Sequence, residues 1–214
     1  MPEPTTAAVP ATPPAPPGAP GRTPPWQTPP GPTPSQTVGP FYGYALPFPG
    51  GGDVAPAGHP EAVTVHGYVH DGAGAPVPDA LLEFWQGGPG TGLPGSMRRD
   101  GVTGGHLGRN GVDFTGFGRI PTDADGHYTL RTLPPGTPAG LPYLSVCVFA
   151  RGLAHHLYTR VYLAEGHDAL LDALEPERRA TLVARREEGG TGHRSYRFDI
   201  RLQGDGETVF LEFR

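Results

Sequence analysis

Residues 62–70, AVTVHGYVH, alternate in polarity. Val63, Val65 and Val69 fall on one face, and Thr64, His66, Tyr68 and His70 fall on the other. That period of two predicts a half-buried strand. DGAGAPVPDA (71–80) reads as a turn and LLEFWQ (81–86) as a second strand. FGRIPTDADGHYTLRTLPPG (117–136) reads as strand, Asp-Gly turn, strand and Pro-Gly turn. YLSVCVFARG (143–152) and HHLYTRVYLAEG (155–166) form a pair around Gly152, and residues 167–180 hold a short helix with Asp168 or Asp172 near its start. TLVARREE (181–188) and SYRFDIRLQG (195–204) alternate again, and ETVFLEF (207–213) closes the chain. Eight or nine short strands with glycine and proline turns predict an all-β, antiparallel β-sandwich.

Composition changes this picture in two places. Residues 87–116 contain eleven glycines and no periodicity, which marks a long loop that is functional or disordered. Fourteen of the 29 prolines fall within residues 1–34, where Glu3 and Arg22 are the only charges and Trp26 the only aromatic. Such a segment buries too little surface to offset its chain entropy. The expected organisation is a disordered tail over 1–32, an N-terminal arm over 33–60 and a sandwich domain over 61–214. The tail lacks the basic start and apolar stretch of a secretory signal, and no run of eighteen apolar residues occurs. A net charge of −5 without a Lys/Arg cluster argues against a nucleic-acid surface. The single cysteine, Cys147, excludes an internal disulfide and suits a reducing cytoplasm.

TPSQTVGPFY, LLEFWQ, FGRIPTDADGHYTLRTLPPG, FARGLAHHLYTRVYL and YRFDIRLQGDGETVFLEF occur in this order. Together they resemble the intradiol ring-cleavage dioxygenases over roughly residues 33–214. The resemblance implies a prealbumin-like sandwich and a reaction with O2. In that reaction a ferric ion held by two tyrosines and two histidines binds protocatechuate, a carboxylated catechol. The ring then opens between its two hydroxyls to give 3-carboxy-cis,cis-muconate.

The ligand positions implied by the resemblance do not carry the expected residues. The first tyrosine belongs to the loop after Trp85-Gln86, yet no tyrosine lies between Tyr68 and Tyr128. The second follows the Pro135-Gly136 turn, where Thr137 and Pro138 stand. The two histidines map to Tyr143 and Ser145. Other residues do not rebuild the set. His155 and His156 are adjacent, so a regular strand points them to opposite faces. His66 and His70 share a face but lie roughly 13 Å apart along a strand. His106 sits in the glycine loop, and Cys147 reads as a small core hydrophobe. Glu83 reads as a buried hydrogen-bond partner, Trp85 as core, and Arg160 and Tyr162 as packing or interface residues.

The resemblance therefore implies an alpha-type chain without a metal site or catalytic residues of its own. Its partner is a catalytic beta subunit that binds the Fe(III), with the aromatic substrate at the junction of the two chains. Carried over residue by residue, the substrate-facing positions are Thr37, Gly39, Pro40 and Arg151. Glycine lets a backbone approach a ligand and the following proline fixes the path of the chain. Arginine supplies charge-assisted hydrogen bonds to a carboxylate. Residues 33–43 then read as a docking arm, with Phe41 and Tyr42 buried against the partner. Two rivals remain: a stand-alone transthyretin-like binding module, and an enzyme with a rebuilt iron site.

Overall fold

Every second residue of β1 (Val63–His70) is buried, as the alternation requires. The computed structural model describes residues 34, 36–88, 99–105, 107–108, 112–137, 140–188 and 193–213; the tail over 1–32, His106 and Pro138 lie outside these. From Ser35 onward the chain forms one compact unit. The later strands are β2 (Leu81–Trp85), β3 (Phe117–Pro121), β4 (His127–Thr132), β5 (Tyr143–Phe149), β6 (Leu157–Tyr162), β7 (Arg185–Glu188), β8 (Arg194–Arg197) and β9 (Ile200–Arg201). Three short helices complete the described elements: α1 (Tyr42–Ala45), α2 (Ala169–Asp172) and α3 (Pro176–Ala180). None is long and apolar enough to cross a membrane. Asp168 caps α2 by accepting the Leu170 N–H, so of the two aspartates the sequence offered it is Asp168 that starts the helix, and Asp172 ends it.

The strands form two sheets, β4-β1-β8-β7 with β9 also on β1, and β3-β2-β5-β6. Val65, Leu130 and Ile200 from the first sheet meet Leu82, Leu144, Val146 and Val161 from the second in one apolar cluster. Each fully buried side chain of this size stabilises the fold by about 1.5–3 kcal/mol. A buried polar link also joins the sheets. Gln86 Nε2 donates to Leu133 O at 2.8 Å, and its Oε1 accepts from Thr132 Oγ1 at 2.7 Å. Residues 51–54, drawn from sequence into the arm, hydrogen-bond to both sheets: Gly51 O accepts from Arg119 N, and Val54 N donates to Arg131 O.

Two details differ from the sequence expectation. The sandwich is antiparallel except at β1, which runs antiparallel to β4 but parallel to β8 and β9. Alternation fixes which face a strand buries, not the direction of its neighbour. Residues 207–213 form no strand; they make one bridge, Leu211 to Tyr158. The free edge of β6 is shared, because Tyr162 is bonded instead to Leu182 and Ala184. Neither segment gains a full ladder.

Gly67 makes the switch from β8 to β9 possible. Phe198 N donates to His66 O at 2.8 Å, and a Cβ on Gly67 would lie 1.9 Å from Phe198 O. Gly67→Ala is therefore expected to force the strands apart. Overpacking of this kind costs about 1–3 kcal/mol, which urea denaturation would read as a lower midpoint at unchanged slope.

Candidate functional site

The arm and the turn after β5 lie together. Gly39 has φ of 77°, a left-handed backbone that favours glycine, and it turns the chain into α1. Gln36 and Val38 line a cavity of about 180 Å³ with Phe149, Leu153 and His156. Pro40 and Arg151 line a second cleft, of about 320 Å³, with Tyr42, Tyr44 and Asp79. Thr37 is exposed beside them. A wider cavity of about 820 Å³ opens near α2 and α3, and none of the four residues singled out lines it.

The aromatic residues of the arm divide differently from expectation. Tyr42 is buried within its own chain at 5% exposure, while Phe41 and Tyr44 stand 78% and 88% exposed. The phenol of Tyr42 donates to the backbone carbonyl of Asp79. Burial, and then the Asp79 charge, push its pKa up, so it remains a donor.

Arg151 is exposed but not unpartnered. Its Nε and one terminal nitrogen each lie 2.6 Å from Asp79 Oδ2. That hydrogen bond and charge raise the Arg151 pKa further. A guanidinium carries five N–H donors along its fork, so the edge facing away from Asp79 remains.

The described backbone segments that flank the positions to which the resemblance maps iron ligands lie side by side. Gly136 N donates to Gly87 O at 3.2 Å, which brings the Pro-Gly turn beside the loop after Gln86. Trp85 is paired with Ser145, Ser145 with Arg160, and Tyr143 with Tyr162. The residue types do not fit a ferric ion. The Arg160 guanidinium lies 4.0 Å from the centre of the Tyr143 ring, hydrogen-bonds Tyr162 Oη at 3.2 Å and approaches Asp168 Oδ1 to 3.6 Å. Burial opposes its charge, but the bond to Tyr162 and the surrounding phenols and Asp168 outweigh it and raise its pKa. Tyr162 donates to Asp168 at 2.9 Å. Burial and this acceptor push its pKa up to about 12 against the opposing pull of Arg160. The cation over one phenol repels a metal ion, and a second phenol held protonated does not supply the tyrosinate that such an ion needs. Among the described residues, no three His, Cys, Asp or Glu side chains group as a metal set.

The other residues weighed from sequence fall into place. Glu83 accepts from Arg119 at 2.6 and 2.8 Å, in a pair whose side chains are only 15% and 14% exposed. Trp85 is not core: it lies on the outer face, 4.4 Å from the Phe117 ring centre. Tyr162 packs in a satellite cluster with Leu171 and Leu182. His156 bonds Tyr158 Oη at 2.6 Å, and His66 bonds Glu187 at 2.9 Å. Cys147 is buried at 6% exposure, but it belongs to the outer face of β5, opposite the core. Asp79 was missed in the sequence because it sits in a proline-flanked turn with no pattern around it.

Residues 52–204 match a family model described as Dioxygenase. The protein named protocatechuate 3,4-dioxygenase alpha chain from Burkholderia cepacia is 40% identical over 199 residues, covering 84% of this chain and 96% of its own. The protein of the same name from Pseudomonas putida is 35% identical over 205 residues, covering 85% and 96%. Among solved structures, the dioxygenase domain of a dioxygenase–carbohydrate-binding protein fusion from Streptomyces sp. SirexAA-E is 28% identical, with a TM-score of 0.49 over 73% of this chain and 86% of that one.

Burial, and secondarily the Glu83 carboxylate, push the Cys147 thiol up to about 12. A raised thiol pKa keeps the unreactive protonated form through neutral and mildly alkaline pH. At pH 8 the native chain is expected to react with a disulfide reagent about a hundredfold slower than the unfolded chain. Equal rates would place the thiol in solvent.

Proposed function

The chain belongs to the intradiol dioxygenase family, and on that premise we propose that it is the alpha subunit of a protocatechuate 3,4-dioxygenase. The relatives of that name are matched over 96% of their own length. The observation that carries the reading is Arg160. A permanent cation lies over Tyr143, at the point where the resemblance would place iron. We assign the ferric ion, and the oxidative ring opening it supplies, to a catalytic beta subunit, and the assembled enzyme to the cytoplasm.

This chain's own part is to bind and orient. Thr37, Gly39, Pro40 and Arg151 face the carboxylated catechol at the junction between the chains. Gly39 brings the backbone of the arm close, Pro40 fixes its exit, and the outward edge of Arg151 receives the carboxylate. The cleft shared by Pro40 and Arg151 supports this placement. Phe41 and Tyr44, exposed on an arm that Tyr42 pins from beneath, are the anchors offered to the beta subunit. Seating these rings excludes water from the cleft.

Co-expression with the beta chain from the same source, followed by size exclusion and oxygen uptake on protocatechuate, tests the assignment. A stable, coloured, active complex is expected. The alpha chain alone should give no tyrosinate band on titration with ferric iron. One equivalent of tightly bound iron with such a band would establish a rebuilt site instead.

The arm gives a separate expectation. Replacing both Phe41 and Tyr44 by alanine should weaken assembly, since each buried ring contributes at most about 1.5–3 kcal/mol. Removing residues 1–32 should leave assembly intact. The reverse pattern in a pull-down would move the interface into the tail.

A further inference from the structure

Asp79 occupies a clamped position. The buried hydroxyl of Thr122 donates to Val77 O at 2.7 Å and accepts from Ala80 N at 3.0 Å. Thr122 N in turn donates to Ala80 O at 2.9 Å. These bonds fix the backbone on both sides of Asp79, and Pro78 immediately before it restricts the chain further. Ala80 is 1% exposed, so the segment cannot shift without disturbing the first residues of β2.

From this fixed point Asp79 reaches two ways. Its backbone carbonyl accepts the Tyr42 phenol, which ties down the arm. Its carboxylate holds the Nε edge of Arg151 at 2.6 Å. Arg151 belongs to an exposed turn and is itself 72% exposed. A long side chain in that setting, without a partner, samples many rotamers. With one edge of the fork held by a carboxylate, the plane of the guanidinium is set and the opposite edge points outward, ready for a second carboxylate in bidentate geometry.

We propose that Asp79 is a positioning residue: it orients Arg151 toward the carboxylate of an aromatic acid substrate, and it joins Arg151 to the arm carrying Thr37, Gly39 and Pro40. This rests on the substrate-facing assignment of Arg151 made above. The arrangement is pre-organised, because side-chain freedom is lost when the chain folds and not when the substrate binds. Asp79 acts through Arg151 and touches no reacting atom.

The test uses the assembled enzyme, with complex formation checked by size exclusion for every variant. Arg151→Ala is expected to lower kcat/KM for protocatechuate about tenfold. Asp79→Ala should raise KM roughly three- to tenfold with kcat little changed, the pattern of lost ground-state binding. Asp79→Asn keeps an oxygen acceptor for Nε and should fall between. In the Arg151→Ala background, Asp79→Ala should have no further effect on KM, since residues acting through one contact are not additive. Should Arg151→Ala lose activity while Asp79→Ala leaves KM unchanged, Asp79 does not position it. A lower KM in Asp79→Ala would make Asp79 a competitor for the guanidinium and overturn the proposal. Additive losses would assign Asp79 to general stability instead. If Arg151→Ala itself keeps full activity, the substrate-facing assignment fails first and the role of Asp79 fails with it. Because the carbonyl of Asp79 survives every substitution, Tyr42→Phe reads the arm link separately: it should lower kcat/KM in a complex that still forms, and an unchanged value would remove the arm from the proposal.

Discussion

The parity of β5 constrains everything around the candidate site. Leu144, Val146 and Val148 must face the layer between the sheets, where all three are essentially excluded from solvent. Because successive strand residues point to opposite faces, Tyr143, Ser145, Cys147 and Phe149 have no choice but the outer face. That face receives Tyr158, Arg160 and Tyr162 from β6 and Glu83 and Trp85 from β2. The hydrophobic core thus holds a row of outward positions in register, whatever residues fill them. Here they are filled by a stacked guanidinium, a phenol held protonated and a buried thiol, residue types that do not suit a ferric ion.

The same chain keeps a second constellation at the end of the sandwich. The turn following β5, the proline-flanked segment before β2 and the arm come from three distant parts of the sequence. They meet at Asp79, whose two ends bind Tyr42 and Arg151. Set side by side, the two regions divide the chemistry. One outer face carries side chains paired with one another, while the end of the sandwich presents donors and exposed aromatic rings outward.

Much of this was legible in the sequence. The strands follow from alternation, and the α2 cap follows from the preference of aspartate for accepting a free helix N–H. That Thr137, Tyr143 and Ser145 stand where the resemblance implies other residue types could be read directly. The parallel pairing of β1 with β8 could not, since alternation carries no information about neighbours. Cys147 is buried, as its apolarity signals, but apolarity does not tell which face is buried, and Trp85 lies half-buried on the outer one. Asp79 gave no signal because its meaning depends on partners at positions 42 and 151. Its neighbours Val77 and Ala80 show nothing until Thr122 is brought against them.

The central place of β1 in its sheet has a consequence for how the molecule comes to exist. Tyr68 meets Asp199 across a separation of 131 residues. On the ribosome, β1 therefore emerges long before β8 and β9, with only β4 available in the interval. Closing so long a loop is entropically costly, and folds dominated by such contacts form slowly. Until residues 194–201 are made, the edge of β1 that β8 and β9 will cover exposes free backbone N–H and C=O groups, a template for wrong pairing. The nascent chain thus passes through a vulnerable period set by topology alone, and it ends only when β8 and β9 arrive to close the sheet.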